Sequence, residues 1–248
     1  MGRASRINGK PSTELPSIIP SVKFLSGDFG KAVYEEYEGR RKADYRDCGA
    51  FNVLSFGDGL VRGSNPFAVV LINQIVGNDG LRVATPAQLE AALRVNALNL
   101  RGGYEDSGLA IRSQDNPNSY LAEDLLAQVR ARGLKEIPVM IPLAGLALVR
   151  DSRSECGVRF RLTDDATMFC APVLNRPGNF RSEDMDVDVG LPTKIGDGDR
   201  TLYTRDSGDS GLSRLCLSGD LNLISGWDDL AGVYTDGRVV VVSDDATS

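Results

Sequence analysis

Apolar positions in the first half of the chain recur mostly at helical spacing, and in the second half they come in short runs of strand length. Asn65-Pro66 opens an apolar run from Phe67 to Val76. An Asn cap with Pro at the first helical position is a start signal, and Phe67, Val70, Leu71 and Ile75 fit one helical face. The β-branched residues of this run leave a buried strand as the competing reading. Leu81-Arg82-Val83-Ala84 reads as an extended segment entering a helix at Thr85-Pro86. Thr85 and Gln88 are spaced as a capping box, and Leu89, Ala92 and Leu93 form the apolar face. A third helix is expected from Tyr120 to Arg132, with the stripe Leu121, Leu125, Leu126 and Val129. The loop Asp115–Ser119 precedes it and Gly133 ends it. Lys31 to Lys42 suits a polar helix. Phe51 to Phe56 reads as a strand before the turn Gly57-Asp58-Gly59.

From Ile137 onward the pattern is β-rich. Val139–Ile141, Leu146–Val149, Val158–Leu162, Met168–Ala171 and Thr201–Thr204 are strand candidates. The stretch from Asn175 to Asp199, rich in Gly, Pro, Asn and Asp, predicts long loops. Val239–Val242 is a continuous apolar run suited to a central strand buried on both faces. With no repeat or low-complexity linker, the chain reads as a polar N-terminal arm over residues 1–20 and a single α+β domain over 21–248.

The segment 211–243 differs from the rest. Leu215, Leu217, Leu221, Leu223 and Leu230 form an apolar frame, and chemically unrelated side chains stand between them. If Leu215 and Leu217 point inward, strand alternation sends Cys216 and Ser218 outward. Likewise, with Leu221 and Leu223 inward, Asp220, Asn222 and Ile224 share the outer face. Ser225 to Asp229 and Gly232 to Asp236 lack periodicity and should be exposed loops. The expected display surface is therefore Cys216, Ser218, Gly219, Asp220, Asn222, Ile224, Gly226, Trp227, Asp228, Asp229, Gly232, Val233, Tyr234, Thr235 and Asp236. Aromatic and aliphatic groups beside Asp, Asn, Ser, Gly and Tyr resemble the composition of a paratope. Trp227, the single tryptophan, can pack on the core or sit at the surface. Its small and acidic neighbours favour the surface.

Composition narrows the chemistry. The 248 residues contain no histidine, which removes the usual general base near neutral pH and the commonest metal ligand. Carboxylate or lysine chemistry stays open. The net charge of −6 argues against general nucleic-acid binding. Cys48, Cys156, Cys170 and Cys216 form no Cys-x-x-Cys pair, so a zinc site is disfavoured, while one disulfide is possible. Asp184, Asp186 and Asp188, or Asp197 and Asp199, could supply oxygen ligands to calcium. The closing Glu of a calcium loop is absent, however, and solvated acidic loops are the commoner outcome. No cofactor is expected. No run approaches a membrane span, and the polar stretch from Met1 to Pro20 lacks the apolar core of a secretory signal. Synthesis in the cytoplasm follows from that reading, with a virion surface as one destination.

Two stretches carry a resemblance. Leu81-Arg82-Val83-Ala84-Thr85-Pro86-Ala87-Gln88-Leu89-Glu90 resembles the arginine-leucine-proline-threonine-x-alanine-glutamate-tryptophan-glutamate signature of formylglycine-generating-enzyme-like domains. Val83-Ala84 replaces leucine-proline here, and Leu89 stands at the tryptophan position. Gly237-Arg238-Val239-Val240-Val241 is similar to the glycine-phenylalanine-arginine-valine close of the same fold, without its aromatic. Gly211 to Val242 looks like the variable region of proteins diversified by retroelements, particularly archaeal and viral ones. The resemblance covers roughly residues 50–248. It implies a C-type-lectin-like fold, with helices packed on a small, mainly antiparallel sheet and long loops. It also implies a hypervariable ligand-binding surface at about 211–243, rewritten by adenine-directed mutagenesis, with no catalytic role and an unknown macromolecular ligand, protein or glycan.

Such mutagenesis of an asparagine codon cannot yield Lys, Glu, Gln or Met, and 211–236 contains none of them. Trp227 needs a different template codon or is fixed. A fixed virion or cell attachment protein of the same fold is the alternative. A formylglycine-generating-type enzyme is a further one, and it would require reactive cysteines near one another.

Overall fold

The computed structural model describes residues 21–112, 119–205 and 211–243, together with the backbone ladder of β1 (Arg6–Ile7) and β2 (Lys10–Pro11). The remainder of the N-terminal arm and most of the loop before Ser119 lie outside the described residues. Four α-helices and a curled seven-stranded sheet give a mixed α+β architecture.

The helices form where caps and apolar faces coincide. Helix α1 (Gly27–Asp44) buries only Gly30, Val33 and Tyr37, in keeping with its polar composition. It follows β3 (Val22–Phe24). Helix α2 (Pro66–Val76) starts with the Asn65 side chain accepting from the Ala68 amide, and nine of its eleven residues are buried. The helical reading of this run therefore prevails over the strand. A helix apolar on all sides belongs inside a core, which accounts for the β-branched content. Helix α3 (Pro86–Arg94) has the expected capping box between Thr85 and Gln88. Helix α4 (Tyr120–Ala131) is capped by Ser119 and ends at Gly133, whose φ is +85°.

One sequence expectation fails between α1 and α2. Residues 51–56 are not a continuous strand. Gly49–Phe51 is a 3-10 turn, and a small hairpin of β4 (Ser55–Gly57) and β5 (Leu60–Arg62) turns at Asp58-Gly59. Phe51 is fully buried and stacks on Tyr45 at 4.4 Å between ring centroids, so it serves as a core plug.

Short β6 (Leu81–Val83) precedes α3. The large sheet is built from β7 (Glu105–Ile111), β8 (Val139–Pro142), β11 (Phe169–Cys170), β12 (Gly178–Phe180), β13 (Arg200–Tyr203), β14 (Leu212–Leu217) and β15 (Leu223–Ile224). Its order is β11-β8-β7-β14-β15-β13-β12. Every neighbouring pair is antiparallel except β13 with β15. A separate hairpin joins β9 (Leu146–Arg150) and β10 (Val158–Leu162). In a three-stranded sheet, β16 (Val240–Ser243) lies between β3 and β6. A parallel bridge from Tyr104 to Gly237 ties the two sheets together just before β7 and β16.

The central strands separate two apolar layers. Leu109, Ile111, Val139, Ile141, Leu212, Val239 and Val241 pack with α1, α2 and α4. Their alternate neighbours Ala110, Met140, Leu215, Leu217, Val240 and Val242 pack with Leu89 of α3, with Leu174, with Phe180 of β12, the strand that interrupts the expected loop stretch 175–199, and with Met185 and Leu191 of the loop that follows it. Both faces being covered explains why β7, β8 and β14 are buried at every position. Among the described residues no helix is long and apolar enough to cross a membrane.

Substituting Val240, 3 % exposed, by Asp should cost at least about 3 kcal/mol in chemical denaturation, because a carboxylate would enter an apolar layer without a partner. Val233, 44 % exposed, should accept Asp within about 0.5 kcal/mol.

Candidate ligand-binding surface

The loop from Gly226 to Asp236 lies over one face of β14 and is held there by a buried arginine. Arg214 is 1 % exposed. Its Nε donates to Asp106 Oδ1 at 2.7 Å, and its Nη2 forms a second short bond to Asp106 Oδ2. Ser64 Oγ donates to the same Oδ2. Burial opposes the Arg214 charge, and Asp106 more than offsets this, so the guanidinium is held above its ordinary value.

The same residue reaches the loop in three ways. Its backbone amide donates to the Trp227 carbonyl at 2.9 Å, its Nη1 donates to the Gly232 carbonyl at 2.9 Å, and its guanidinium carbon sits 4.0 Å from the Tyr234 ring centroid. A cation under an aromatic face is attracted to the ring quadrupole.

Other frame residues complete the anchoring. Ser64 and Tyr234 exchange backbone hydrogen bonds at 3.2 and 3.3 Å, and Gly63 donates to the Gly237 carbonyl at 2.8 Å. A Cβ on Gly237 would come within 2.5 Å of the Ser64 Cβ, so only glycine permits this approach. Asn65 bridges α2 to the loop by donating to the Ala50 and Ala231 carbonyls. Asp229 Oδ1 accepts from the amides of Ala231 and Gly232, which closes the turn. At the edge, Arg205 pairs with Asp228 at 3.2 Å.

The outer side of this layer presents a patch of three aromatic rings. Tyr104 stacks on Tyr234 with centroids 4.7 Å apart and planes 12° apart. Trp227 lies 5.0 Å from Tyr234 and 6.3 Å from Tyr104. Trp227 is 37 % exposed, so its ring is partly packed on the layer and partly open to solvent. Burial raises the Tyr104 phenol above its ordinary value, and Asp236 and Asp220 add to this; the bond from the Gly102 amide to the Gly219 carbonyl sets the turn that carries Asp220 next to Tyr104. The Tyr234 phenol is pushed further up by burial against the opposing Arg214, so these phenols stay neutral near pH 7. Asp220, Asp228, Asp229, Val233, Thr235 and Asp236 are exposed around the rings.

The fifteen residues expected at the surface fall into three groups. Gly226 to Asp229 and Gly232 to Asp236 form the layer just described, with Asp220 beside it. Gly219 and Asn222 belong to the turn between β14 and β15. Gly219 accepts from the Gly102 amide at 3.0 Å, and Asn222 Oδ1 accepts from the Thr201 amide at 2.7 Å.

Cys216, Ser218 and Ile224 are not outward: they are 0 %, 5 % and 8 % exposed. Strand alternation does put Cys216 on the face opposite Leu215 and Leu217. That face is roofed by the loop layer instead of facing solvent, and Ile224 pairs with Cys216 across the strands. Ser218 is drawn in by its turn, where its Oγ accepts from the Asn222 amide at 3.1 Å. Burial raises the Cys216 thiol well above its ordinary value.

Sequence reasoning missed Tyr104, Asp106, Ser64 and the exposed Tyr203. The signal for Asp106 was an acidic pair inside the strand Glu105–Ile111, which charge alone disguises as a loop.

The calcium and cysteine alternatives raised by the sequence concern other parts of the chain. Among the described residues no group of three or more Cys, Asp or Glu side chains converges as a metal site. Asp184 pairs with Lys194 at 3.0 Å, and Asp186 accepts from the amides of Asp188 and Val189 in its own turn. All four cysteines are free. Cys48 and Cys156 line one cavity beside α1, away from Cys216, and burial followed by the neighbouring Cys48 pushes the Cys156 thiol up to about 11. Comparison with protein-family models, with curated proteins and with solved structures gives no match.

Two tests follow from the anchoring. Arg214→Met should destabilise by about 3–5 kcal/mol in urea denaturation, because Asp106 would stay buried without its counter-charge. Asp106→Leu combined with Arg214→Met should recover a large part of that loss.

Glu105 gives a pH signature. It is 1 % exposed, accepts from Arg238 Nε at 2.8 Å, and leaves Oε2 without a partner. Burial pushes its carboxyl from 4.5 up to about 7 against the lowering effect of Arg238. Because the folded value is raised, its stabilising contribution is fully present below about pH 4.5 and is lost as pH rises through about 7. Unfolding free energy measured from pH 4.5 to 8 should fall by up to the order of 3 kcal/mol from this group, and Glu105→Gln should flatten that part of the profile.

Proposed function

We propose that the protein is a ligand-binding display protein. Its contact surface consists of Asp220, Tyr104 and the outer side chains of the 226–236 layer. The observation that carries this reading is a division of labour. The backbone of the layer is fixed by buried groups outside its own exposed positions, namely Arg214, Asp106, Ser64 and Asn65. The exposed side chains Asp220, Val233, Thr235 and Asp236 form no ion pair among the described residues and can change without removing those anchors. Paired aromatic rings with acidic and small polar neighbours offer a large contact area at low conformational cost, which suits a macromolecular ligand, protein or glycan.

The α+β architecture, the capping box at Thr85, and the closing strand after Gly237 are in keeping with a C-type-lectin-like fold. We therefore favour the variable protein of a diversity-generating retroelement, of archaeal or archaeal-virus type, as its class. Diversification would then fall on Asp220, Asp228, Val233, Thr235 and Asp236, while Asp229, which closes the turn, would be a frame position. Cys216, Ser218 and Ile224 would be frame positions. Binding is favoured over catalysis because a thiol held near 11, as at Cys156, is a poor nucleophile at neutral pH, and Cys216 is enclosed.

A library randomising Asp220, Asp228, Val233, Thr235 and Asp236 together, sorted by protease resistance, tests the reading. Most members should keep the parental melting temperature within a few degrees, and selection should yield binders to unrelated proteins. A library at Cys216, Ser218 and Ile224 should lose most folded members. Equal intolerance at both sets would refute a display surface. In the DNA, a nearby near-copy of the gene's 3′ end should differ at codons for the first set only.

A further inference from the structure

A cavity of about 410 Å3 opens between α3, the segment that follows it, and the β14–β15 turn, from which Leu221 lines it. We propose that it binds a small organic anion, with a carboxylate or phosphate headgroup and a short apolar body. None of Tyr104, Asp220 or the 226–236 layer lines this cavity.

Three features point to that ligand class. The first is charge. The cavity is lined by Arg94, Arg101 and Arg200 against a single carboxylate, Glu90. Glu90 is consumed by Arg200, which it meets through two bonds of 2.7 and 2.6 Å, and both side chains are buried. Among the described residues Arg94 is used only through Nη2, which donates to the carbonyls of Ser182 and Met185. The Arg101 guanidinium has no hydrogen-bond or ion-pair partner among the described residues. On a chain of net charge −6, this concave site therefore carries two positive charges that no carboxylate answers. Guanidinium groups match carboxylate and phosphate oxygens in pairs of parallel hydrogen bonds.

The second feature is the wall. Leu93, Leu98 and Leu221 line the same space, so an anion with an apolar body fits better than a bare inorganic ion.

The third is backbone conformation. Among the described residues only Asp58, Asn96 and Leu221 have positive φ without being glycine, and two of the three line this cavity. Leu221 at φ +66° is an unfavourable choice for a branched side chain. Its carbonyl is held by Arg200 Nε at 2.6 Å, so the buried ion pair maintains the conformation that faces the cavity. Such outliers persist where surrounding structure over-determines them, and they gather at ligand sites.

The test is a titration of the ¹⁵N-labelled full chain followed by amide chemical shifts. The probes are phenyl phosphate, benzoate and inorganic phosphate, with sodium chloride at matched ionic strength and benzylamine as the cationic control. Saturable shifts confined to the amides of residues 93–101 and to Leu221 are expected with phenyl phosphate or benzoate, and the tighter of the two identifies the headgroup. Inorganic phosphate should bind more weakly than phenyl phosphate. Arg101→Gln, at an exposed position whose side chain has no partner among the described residues, should keep the melting temperature and weaken the organic anion about tenfold. Shifts that do not saturate or that chloride reproduces, equal binding of benzylamine, or unchanged affinity in Arg101→Gln would each overturn the proposal.

Discussion

The buried contact between Arg214 and Asp106 is the constraint on which the candidate surface depends. A guanidinium taken out of water is costly unless its charge and its donors are all answered. Here Asp106 answers the charge, and the carbonyls of Gly232 and Ser64 take further donors. The ring of Tyr234 covers the face of the guanidinium. The requirement to satisfy one buried cation thus draws the 226–236 segment down onto the sheet in one conformation. A loop that would otherwise need its own apolar core is fixed by polar groups belonging to β7, β14 and the start of α2.

Polar anchoring also separates stability from contact. Loop layers held by apolar side chains must keep those side chains. This layer is held mostly by its carbonyls and amides, which every residue type possesses, and by few of its own side chains. Tyr234 lies over Arg214, Asp229 closes a turn, and Leu230 enters the core beside α2. Trp227 is intermediate, with its carbonyl anchored by the Arg214 amide and its ring leaning on Tyr234. The outer side chains of Asp220, Val233, Thr235 and Asp236 form no ion pair among the described residues, which is the freedom the proposed display surface requires.

Much of the frame was legible from residue patterns. The caps at Asn65 and Thr85, the stripe ending at Gly133, and the run Val239–Val242 each declare their element through local chemistry that tertiary contacts reinforce. Strand alternation correctly separated Leu215 and Leu217 from Cys216. It misjudged what lies on the other side, because alternation reports which residues share a face and not whether that face is covered. The same gap hid Glu105 and Asp106. Their partners Arg238 and Arg214 are more than a hundred residues away in the chain, and a carboxylate in a central strand makes sense only once that pairing is known. Tyr104 escaped notice for a related reason: nothing local to Gly102-Gly103-Tyr104 announces that Tyr234 stacks on it.

Amide hydrogen exchange tests the central claim most directly. The amides of Arg214, Tyr234, Gly237 and Arg238 are hydrogen-bonded within or beneath the layer. Their protection should be unchanged when Asp220, Asp228, Val233, Thr235 and Asp236 are all replaced by serine. It should collapse locally in Asp106→Asn, where the buried charge loses its counterpart. Loss of protection in the serine variant, or full retention in Asp106→Asn, would contradict an exposed layer held from below by one buried ion pair.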